Sequence, residues 1–176
     1  MASIREFEGI RPAIAESAYI DAQALIIGDV HIGEHSSIWP FTVVRGDVNI
    51  IRIGDHTNIQ DNSVLHVTHD GPYNPGGFGL HIGNNVTVGH RVTLHGCRIM
   101  NNCLIGMSAT IMDGAVVHPL SIVGAGALVT PGKVLESGYL WLGSPVRRAR
   151  ALSQKEIDSI EYSAQHYVRL KNRHRT

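Results

Sequence analysis

The sequence predicts an all-β solenoid, a parallel β-helix of hexapeptide repeats followed by a C-terminal α-helix. Two columns of residues at a fixed spacing predict the coil, and one amphipathic segment predicts the helix. The first column contains only Ile, Leu and Val. Its members recur every six residues, apart from a three-residue step after Ile50, an interruption after Leu65 and a five-residue step after Leu94: Ile14, Ile20, Ile26, Ile32, Ile38, Val44, Ile50, Ile53, Ile59, Leu65, Ile82, Val88, Leu94, Ile99, Ile105, Ile111, Val117, Val123 and Val129.

A second column of small or β-branched residues follows four residues after most members of the first, and includes Ala24, Val30, Ser36, Thr57, Ser63, Val92, Cys103, Ala109 and Ala127. A period of six fits neither an α-helix nor simple strand alternation, but it fits a coil of three short strands. The branched residue would point into a narrow prism, and the small residue would occupy the corner. Successive coils would stack by parallel strand pairing, roughly 4.8 Å apart.

The interruption between Leu65 and Ile82 predicts a loop that leaves the coil. One side of a coil takes six residues, so the 17-residue step contains about 11 extra. The extra segment, 70–79, is rich in Gly and Pro, which are the residues of turns and loops.

The C-terminal segment carries the signals of a helix. Ser153 and Glu156 form a capping-box pattern, and Ile157, Ile160, Ala164, Tyr167 and Val168 follow at helical spacing. We therefore expect a helix over 153–171. The predicted organisation is a β-helix domain over 1–145 and a C-terminal region, 146–176, whose helix packs on the β-helix of its own subunit or of a neighbour.

Composition limits the classes of partner. The 176 residues contain 15 Lys plus Arg and 15 Asp plus Glu, so the formal net charge is zero. This balance argues against nucleic acid or an anionic membrane as a partner. The sequence shows neither a signal peptide nor an apolar run of the roughly 18 residues that a membrane helix needs. With only Cys97 and Cys103, a reduced, cytoplasmic protein without a disulfide framework is expected.

Three of the eleven histidines have positions that the repeat specifies. His66 follows inward Leu65 and His95 follows inward Leu94. If the loop is an insertion, these two histidines stack on adjacent coils. His90 lies one side earlier, around a corner, from which it could reach such a pair on an adjacent prism in a trimer. Three histidine ligands would leave the fourth position of a zinc ion open for a water molecule. The alternative interpretation is that the three histidines face solvent near an edge and bind no metal.

Three motifs in order carry a family resemblance: Arg45-Gly46-Asp47, the stretch 58–66 (Asn-Ile-Gln-Asp-Asn-Ser-Val-Leu-His), and the stretch 88–97 (Val-Gly-His-Arg-Val-Thr-Leu-His-Gly-Cys). Over nearly its whole length the chain resembles the γ-class carbonic anhydrase family. It is most similar to the short bacterial members, which share its Tyr-Asn-Pro loop and Gly-Ser-Pro-Val stretch. The resemblance implies a left-handed coil and a homotrimer with one metal ion at each subunit interface.

The resemblance also implies the ligands and the reaction. His66 and His95 of one subunit and His90 of its neighbour would bind Zn²⁺, with iron or cobalt as alternatives. The implied reaction is the reversible hydration of carbon dioxide to bicarbonate by metal-activated water.

Four further residues match positions of the family's site. Gln60 matches the residue that hydrogen-bonds to the activated water. Arg45 and Asp47 match an ion pair that ties subunits together, and Asp61 matches an interface carboxylate that could pair with Arg45. For Arg45, Asp47 and Asp61, a purely structural role and a catalytic role both stay open.

The chain departs from the better-characterised branch of the family in its proton shuttles. Val48 stands where that branch has a glutamate directly after the Arg-Gly-Asp motif. The loop is neutral, with Asp70 as its only carboxylate. His69, Tyr73 and His166 are candidates for a replacement shuttle, and each could equally be an ordinary surface residue.

Three alternatives to carbonic anhydrase remain open. A metal-dependent hydrolase on the same scaffold could act on a thioester, with the loop and Tyr73 shaping a substrate cleft. A catalytically silent metal-binding trimer could serve as an assembly subunit. A hexapeptide acyltransferase is the third, although those enzymes usually depend on a single catalytic histidine.

Overall fold

The computed structural model describes residues 3–175, which form short strands followed by one helix. The strands of the first half are β1 Ser3–Arg5, β2 Ala13–Ile14, β3 Tyr19–Ile20, β4 Leu25–Ile32, β5 Ser37–Ile38, β6 Val43–Ile53, β7 Asn58–Ile59, β8 Val64–His66, β9 Leu80–Ile82 and β10 Thr87–Val88. Those of the second half are β11 Thr93–His95, β12 Arg98–Ile99, β13 Cys103–Ile105, β14 Thr110–Ile111, β15 Val116–Val117, β16 Ser121–Val123, β17 Leu128–Val129, β18 Val134–Leu135, β19 Tyr139–Leu142 and β20 Arg147–Ala151.

Parallel pairing between successive coils builds three flat faces. The first face contains β8, β11, β14 and β17, the second contains β9, β12, β15 and β18, and the third runs from β3 through β5, β7, β10, β13 and β16 to β19. The long strands β4 and β6 cross a corner and belong to both the first and the second face. The predicted left-handed parallel β-helix is therefore confirmed.

The predicted inward column forms the core, with one exception. From Ile26 to Val129 its members are at most 3% exposed, while Ile14 and Ile20 are partly buried at the first coil. The exception is Ile50: the prediction that it points inward is wrong, because Ile51 is fully buried in its place.

A local bulge explains the exchange of Ile50 for Ile51. Gly28 pairs with Gly46 and Val30 pairs with Ile51, so one residue of β4 faces four residues of β6. These four, 47–50, leave the regular ladder. The bulge places Asp47 outside the prism, next to the first face, and leaves Val48 45% exposed.

The predicted loop is present and is closed by hydrogen bonds. Thr68 and Phe78 exchange two backbone hydrogen bonds of 3.0 Å at its base, and the Asp70 carboxylate accepts a hydrogen bond from the Gly76 amide at 2.6 Å. Leu80 then re-enters the core, fully buried. The loop is thus an ordered excursion at the edge of the first face.

The helix α1, Gln154–His174, begins after the predicted capping box of Ser153 and Glu156 and ends three residues later than expected. It packs along the third face of its own chain, against β5, β7 and β10. Near its end, the buried Lys171 donates a 2.8 Å hydrogen bond from Nζ to the Ser17 carbonyl of the first coil. The antiparallel pairing of β19 with β20, which precedes the helix, was not predicted. Within residues 3–175, no helix is sufficiently long and apolar to cross a membrane.

Candidate metal centre

His66 and His95 stand on adjacent rungs of the first face. They are direct partners in the parallel register of β8 and β11, as the repeat predicts. Their rings are 5.0 Å apart between centroids, and Nδ1 of His66 lies 3.0 Å from Nε2 of His95. The side chains are 19% and 36% exposed, so both reach the surface of the prism.

Each of these rings also contacts a carboxylate with its outer nitrogen. Nε2 of His66 lies 3.1 Å from Oδ1 of Asp47, and Nδ1 of His95 lies 2.7 Å from Oδ1 of Asp113. The four side chains form a continuous row across neighbouring coils, with the two histidines in the middle.

The ring nitrogens of the row make three close contacts, but two neutral imidazoles carry only two N–H hydrogens between them. A neutral imidazole carries one N–H, and an ionised carboxylate only accepts. If both carboxylates accept an N–H, the two inner nitrogens face each other with lone pairs at 3.0 Å. A third proton or a metal ion is required to make that contact favourable.

The electrostatics at His66 disfavour the extra proton. Burial lowers the pKa of His66 below its ordinary value, and the nearby Arg45 and His95 act in the same direction, although Asp47 opposes them. A metal ion fits the donor set better. Two nitrogen ligands of a tetrahedral zinc ion, each at about 2.0–2.1 Å, lie about 3.3 Å apart, close to the observed separation of 3.0 Å.

Asp47 connects this pair to Arg45. Nη1 of Arg45 lies 2.5 Å from Oδ2 of Asp47, whose side chain is 15% exposed. Burial alone would raise the pKa of Asp47, but the hydrogen bonds from Arg45 and His66 outweigh it and leave that pKa below its ordinary value. Asp47 therefore stays ionised and accepts from both neighbours.

His90 lies at a different corner, with Asp61. Nδ1 of His90 is 2.9 Å from Oδ2 of Asp61, on adjacent coils of the turn that follows the third face. The His90 side chain is 44% exposed. Within one chain, Arg45 pairs with Asp47, so an Arg45–Asp61 pair between subunits stays a prediction.

A cleft of about 330 Å³ separates this corner from the helix. Its walls include Gln60, His90, Met107 and Tyr167. Gln60 is 5% exposed, and its Nε2 donates to Oδ1 of Asn58 at 3.1 Å, which fixes the amide. Burial raises the pKa of Tyr167, and the negative charge of Asp61 adds to that effect.

One chain does not assemble all three predicted ligands. Among residues 3–175, no group of three His, Cys, Asp or Glu side chains is placed to hold a metal ion. Yet the three predicted ligands differ from the other eight histidines in one respect. Over the described part of the chain, only His66, His90 and His95 have a ring nitrogen within 4.0 Å of a carboxylate oxygen.

In the described chain no hydrogen bond, ion pair or ring contact joins a predicted proton-shuttle residue to one of these three histidines. His69 lies in the loop against Gly71, Tyr73 is 93% exposed at the loop tip, and the His166 ring stacks on Tyr162. Their role as shuttles stays a prediction.

Sequence reasoning missed Asp113, Thr68 and Tyr167. The spacing contains a signal for the first: Asp113 follows His95 by 18 residues, one full coil. A search for carboxylates one coil from each histidine would also have paired Asp47 with His66, 19 residues apart, and Asp61 with His90, 29 residues apart across the loop. No comparable signal marks Tyr167, since only the docking of the helix brings it to the cleft.

The six-residue repeat and the parallel coil define a class of protein, the hexapeptide-repeat proteins. The family model described as "Bacterial transferase hexapeptide (six repeats)" matches residues 12–46 and 96–131. Protein YrdA of Escherichia coli is 48% identical over 96% of this chain and 92% of its own length. A carbonic anhydrase of Geobacillus kaustophilus is 44% identical over 94% of this chain and 87% of its own length. The chain belongs to the γ-carbonic anhydrase family of hexapeptide-repeat proteins.

Solved structures agree on the fold. A hexapeptide transferase family protein from Anaplasma phagocytophilum is 40% identical, with a TM-score of 0.89 and coverage of 97% of this chain and 96% of that one. An N-acyltransferase from Bacillus cereus, AntD, is only 16% identical with a TM-score of 0.60, which shows a shared fold alone.

Proposed function

We propose that this protein is a metal-dependent carbonic anhydrase that catalyses the reversible hydration of carbon dioxide to bicarbonate, at sites between the subunits of a homotrimer. One observation carries the proposal: each of the three predicted ligands, and no other histidine of the described chain, has its own aspartate. Histidines that bind metals usually donate their second ring N–H to a carboxylate or carbonyl, which fixes the ring. The similarity to carbonic anhydrases supports the same conclusion.

The proposed trimer follows from the positions of the three ligands, which lie at two separate places on one chain. His66 and His95 converge in one chain, whereas His90 belongs to another corner with Asp61. In a ring of identical subunits, one corner of each prism meets the first face of the next, so every interface would receive the same set. We propose Zn²⁺ as the ion, with iron and cobalt as alternatives.

The chain's own residues would bind and orient the reactants. When bound, the ion lowers the pKa of a coordinated water toward about 7, which supplies a nucleophile at neutral pH. Gln60, held by Asn58, presents a fixed amide to the cleft and can hydrogen-bond to an oxygen of the reactants. Leu104, Met107 and Ala125 give the cleft an apolar wall suited to carbon dioxide.

The proton released in the reaction must leave through a group that ionises near neutral pH. Val48 and the neutral loop lack the family's glutamates, and Asp70 is engaged in holding the loop. His69, Tyr73 and His166 remain the proposed alternatives, whereas the raised pKa of Tyr167 makes it unsuited to this role although it lines the cleft beside His90.

Stopped-flow measurement of carbon dioxide hydration, on protein of known metal content, tests the proposal with His90→Ala. His90 contacts neither His66 nor His95 within the chain, yet we expect its loss to remove bound zinc and to reduce hydration by at least 100-fold, because it completes the neighbour's site. As a control, His31→Ala replaces an exposed histidine on another face, and this variant should retain its zinc and its hydration rate.

If the wild type binds a full complement of zinc but hydrates carbon dioxide no faster than buffer, the proposed activity is overturned and the proposed metal site is retained. Hydrolysis of an acyl thioester would then identify a hydrolase, and normal cellular function of a variant lacking all three histidines would identify a silent assembly subunit.

A further inference from the structure

Asp113 is the carboxylate of the metal centre that neither the motifs nor the repeat analysis singled out. It lies in the corner after β14, one coil beyond His95. Its Oδ1 is 2.7 Å from Nδ1 of His95, and its side chain is 27% exposed. We propose that Asp113 is a positioning residue, which accepts the Nδ1–H of His95 and so holds the Nε2 lone pair of His95 toward His66. This inference depends on the proposed metal site but not on carbon dioxide as the substrate.

The second oxygen of Asp113 is held as firmly as the first. The Thr68 hydroxyl donates to Oδ2 at 2.8 Å. Thr68 belongs to the base of the loop, where it also exchanges backbone hydrogen bonds with Phe78. The carboxylate is therefore fixed from two sides, by the histidine and by the loop.

The backbone beside His95 leaves space for this carboxylate. Gly96 has a φ of +51°, and a Cβ built on it would lie 2.3 Å from Oδ1 of Asp113 and 2.6 Å from Cβ of Phe78. Any side chain at position 96 would displace the acceptor of His95 or the wall of the loop. The glycine thus permits both the left-handed backbone conformation and the contact between His95 and Asp113.

Orientation matters because a histidine has two tautomers and only the unprotonated nitrogen can bind a metal ion. An acceptor at Nδ1 selects the tautomer with a free Nε2. Without it, either nitrogen could carry the proton and the ring could rotate. Loss of such an outer partner commonly weakens metal binding by about 10- to 100-fold.

The test compares zinc affinity, by competition with a chromophoric chelator, in Asp113→Ala, Asp113→Asn and the wild type. We expect a 10- to 100-fold weaker affinity for Asp113→Ala. Asp113→Asn should stay within about fivefold, because its amide oxygen can still accept the Nδ1–H. Asp29→Ala is the matched control, since Asp29 is a partly exposed carboxylate that pairs with Arg52 and with none of the three predicted ligands.

A second measurement reads the tautomer of His95 directly. Long-range ¹⁵N–¹H spectra of the metal-free wild type should show His95 protonated at Nδ1, and Asp113→Ala should lose that preference. A wild-type His95 protonated at Nε2 would overturn the inference, as would Asp113→Ala with unchanged zinc affinity. Since neither readout involves carbon dioxide, a protein that fails to hydrate it can still sustain the role of Asp113.

Discussion

His95→Ala is expected to reduce zinc content from about one ion per chain to a small fraction and to lower carbon dioxide hydration by about three orders of magnitude. The substitution removes one half of the facing pair and leaves Asp113 without its donor. Metal-ion catalysis contributes several kcal/mol to such reactions, and each 1.36 kcal/mol corresponds to a factor of ten in rate. Elemental analysis and stopped-flow assays measure the two quantities.

His81→Ala is the matched control for this prediction. His81 follows the buried Leu80 as His95 follows the buried Leu94, and it is similarly half-buried, but it lies on the second face. Zinc content and hydration rate should stay within about twofold of the wild type. If both variants lost zinc and hydration to a comparable extent, the cause would be damage to the coil, and the assignment of His95 as a ligand would be contradicted.

Leu65→Ala is expected to give the largest loss of stability, about 2–5 kcal/mol in the free energy of unfolding. Leu65 is fully buried inside the prism, between Val44 and Leu94 of the neighbouring coils. Close-packed coils can fill the resulting cavity only in part. Urea unfolding at one fixed protein concentration measures the change, since association contributes to the stability of an oligomer.

Val64→Ala provides the comparison within the same strand. Val64 is 43% exposed in the single chain and points away from the prism, so its truncation leaves no cavity in the core and should lower the unfolding free energy by less than about half as much as Leu65→Ala. Equal losses for the two neighbouring residues would contradict the alternation of inward and outward side chains on which the coil depends.

The repeat predicted the coil and the register of the two facing histidines because a spacing of six residues per side fixes where each residue lies along a rigid coil. Counting six residues per side places His95 directly over His66, and the structure pairs them. The same counting was wrong at Ile50, since Ile51 beside it is equally apolar. Hydrophobicity alone could not show which of the two residues leaves the ladder.

Partners in neighbouring corners were harder to predict than positions along a face. Asp113 and Thr68 are 45 residues apart, and they meet only because the loop folds back against the coil. Within the chain Asp61 contacts His90, and the bulge of residues 47–50 carries Asp47 to Arg45 and His66. The conformation of that bulge and the path of that loop set these contacts, and neither follows from the six-residue period.

Subunit mixing tests the central claim, a site shared between chains, most directly. His90→Ala and His95→Ala chains, each inactive alone, would be co-expressed with different tags and their mixed oligomers assayed for zinc and hydration. If His95 comes from one subunit and His90 from the next, random assembly restores about one quarter of the wild-type sites in the whole mixture, and about one third in trimers purified through both tags. His66→Ala mixed with His95→Ala should restore none, because both lesions lie in the same half-site. No recovery in the first mixture, or equal recovery in both, would contradict a metal centre between subunits.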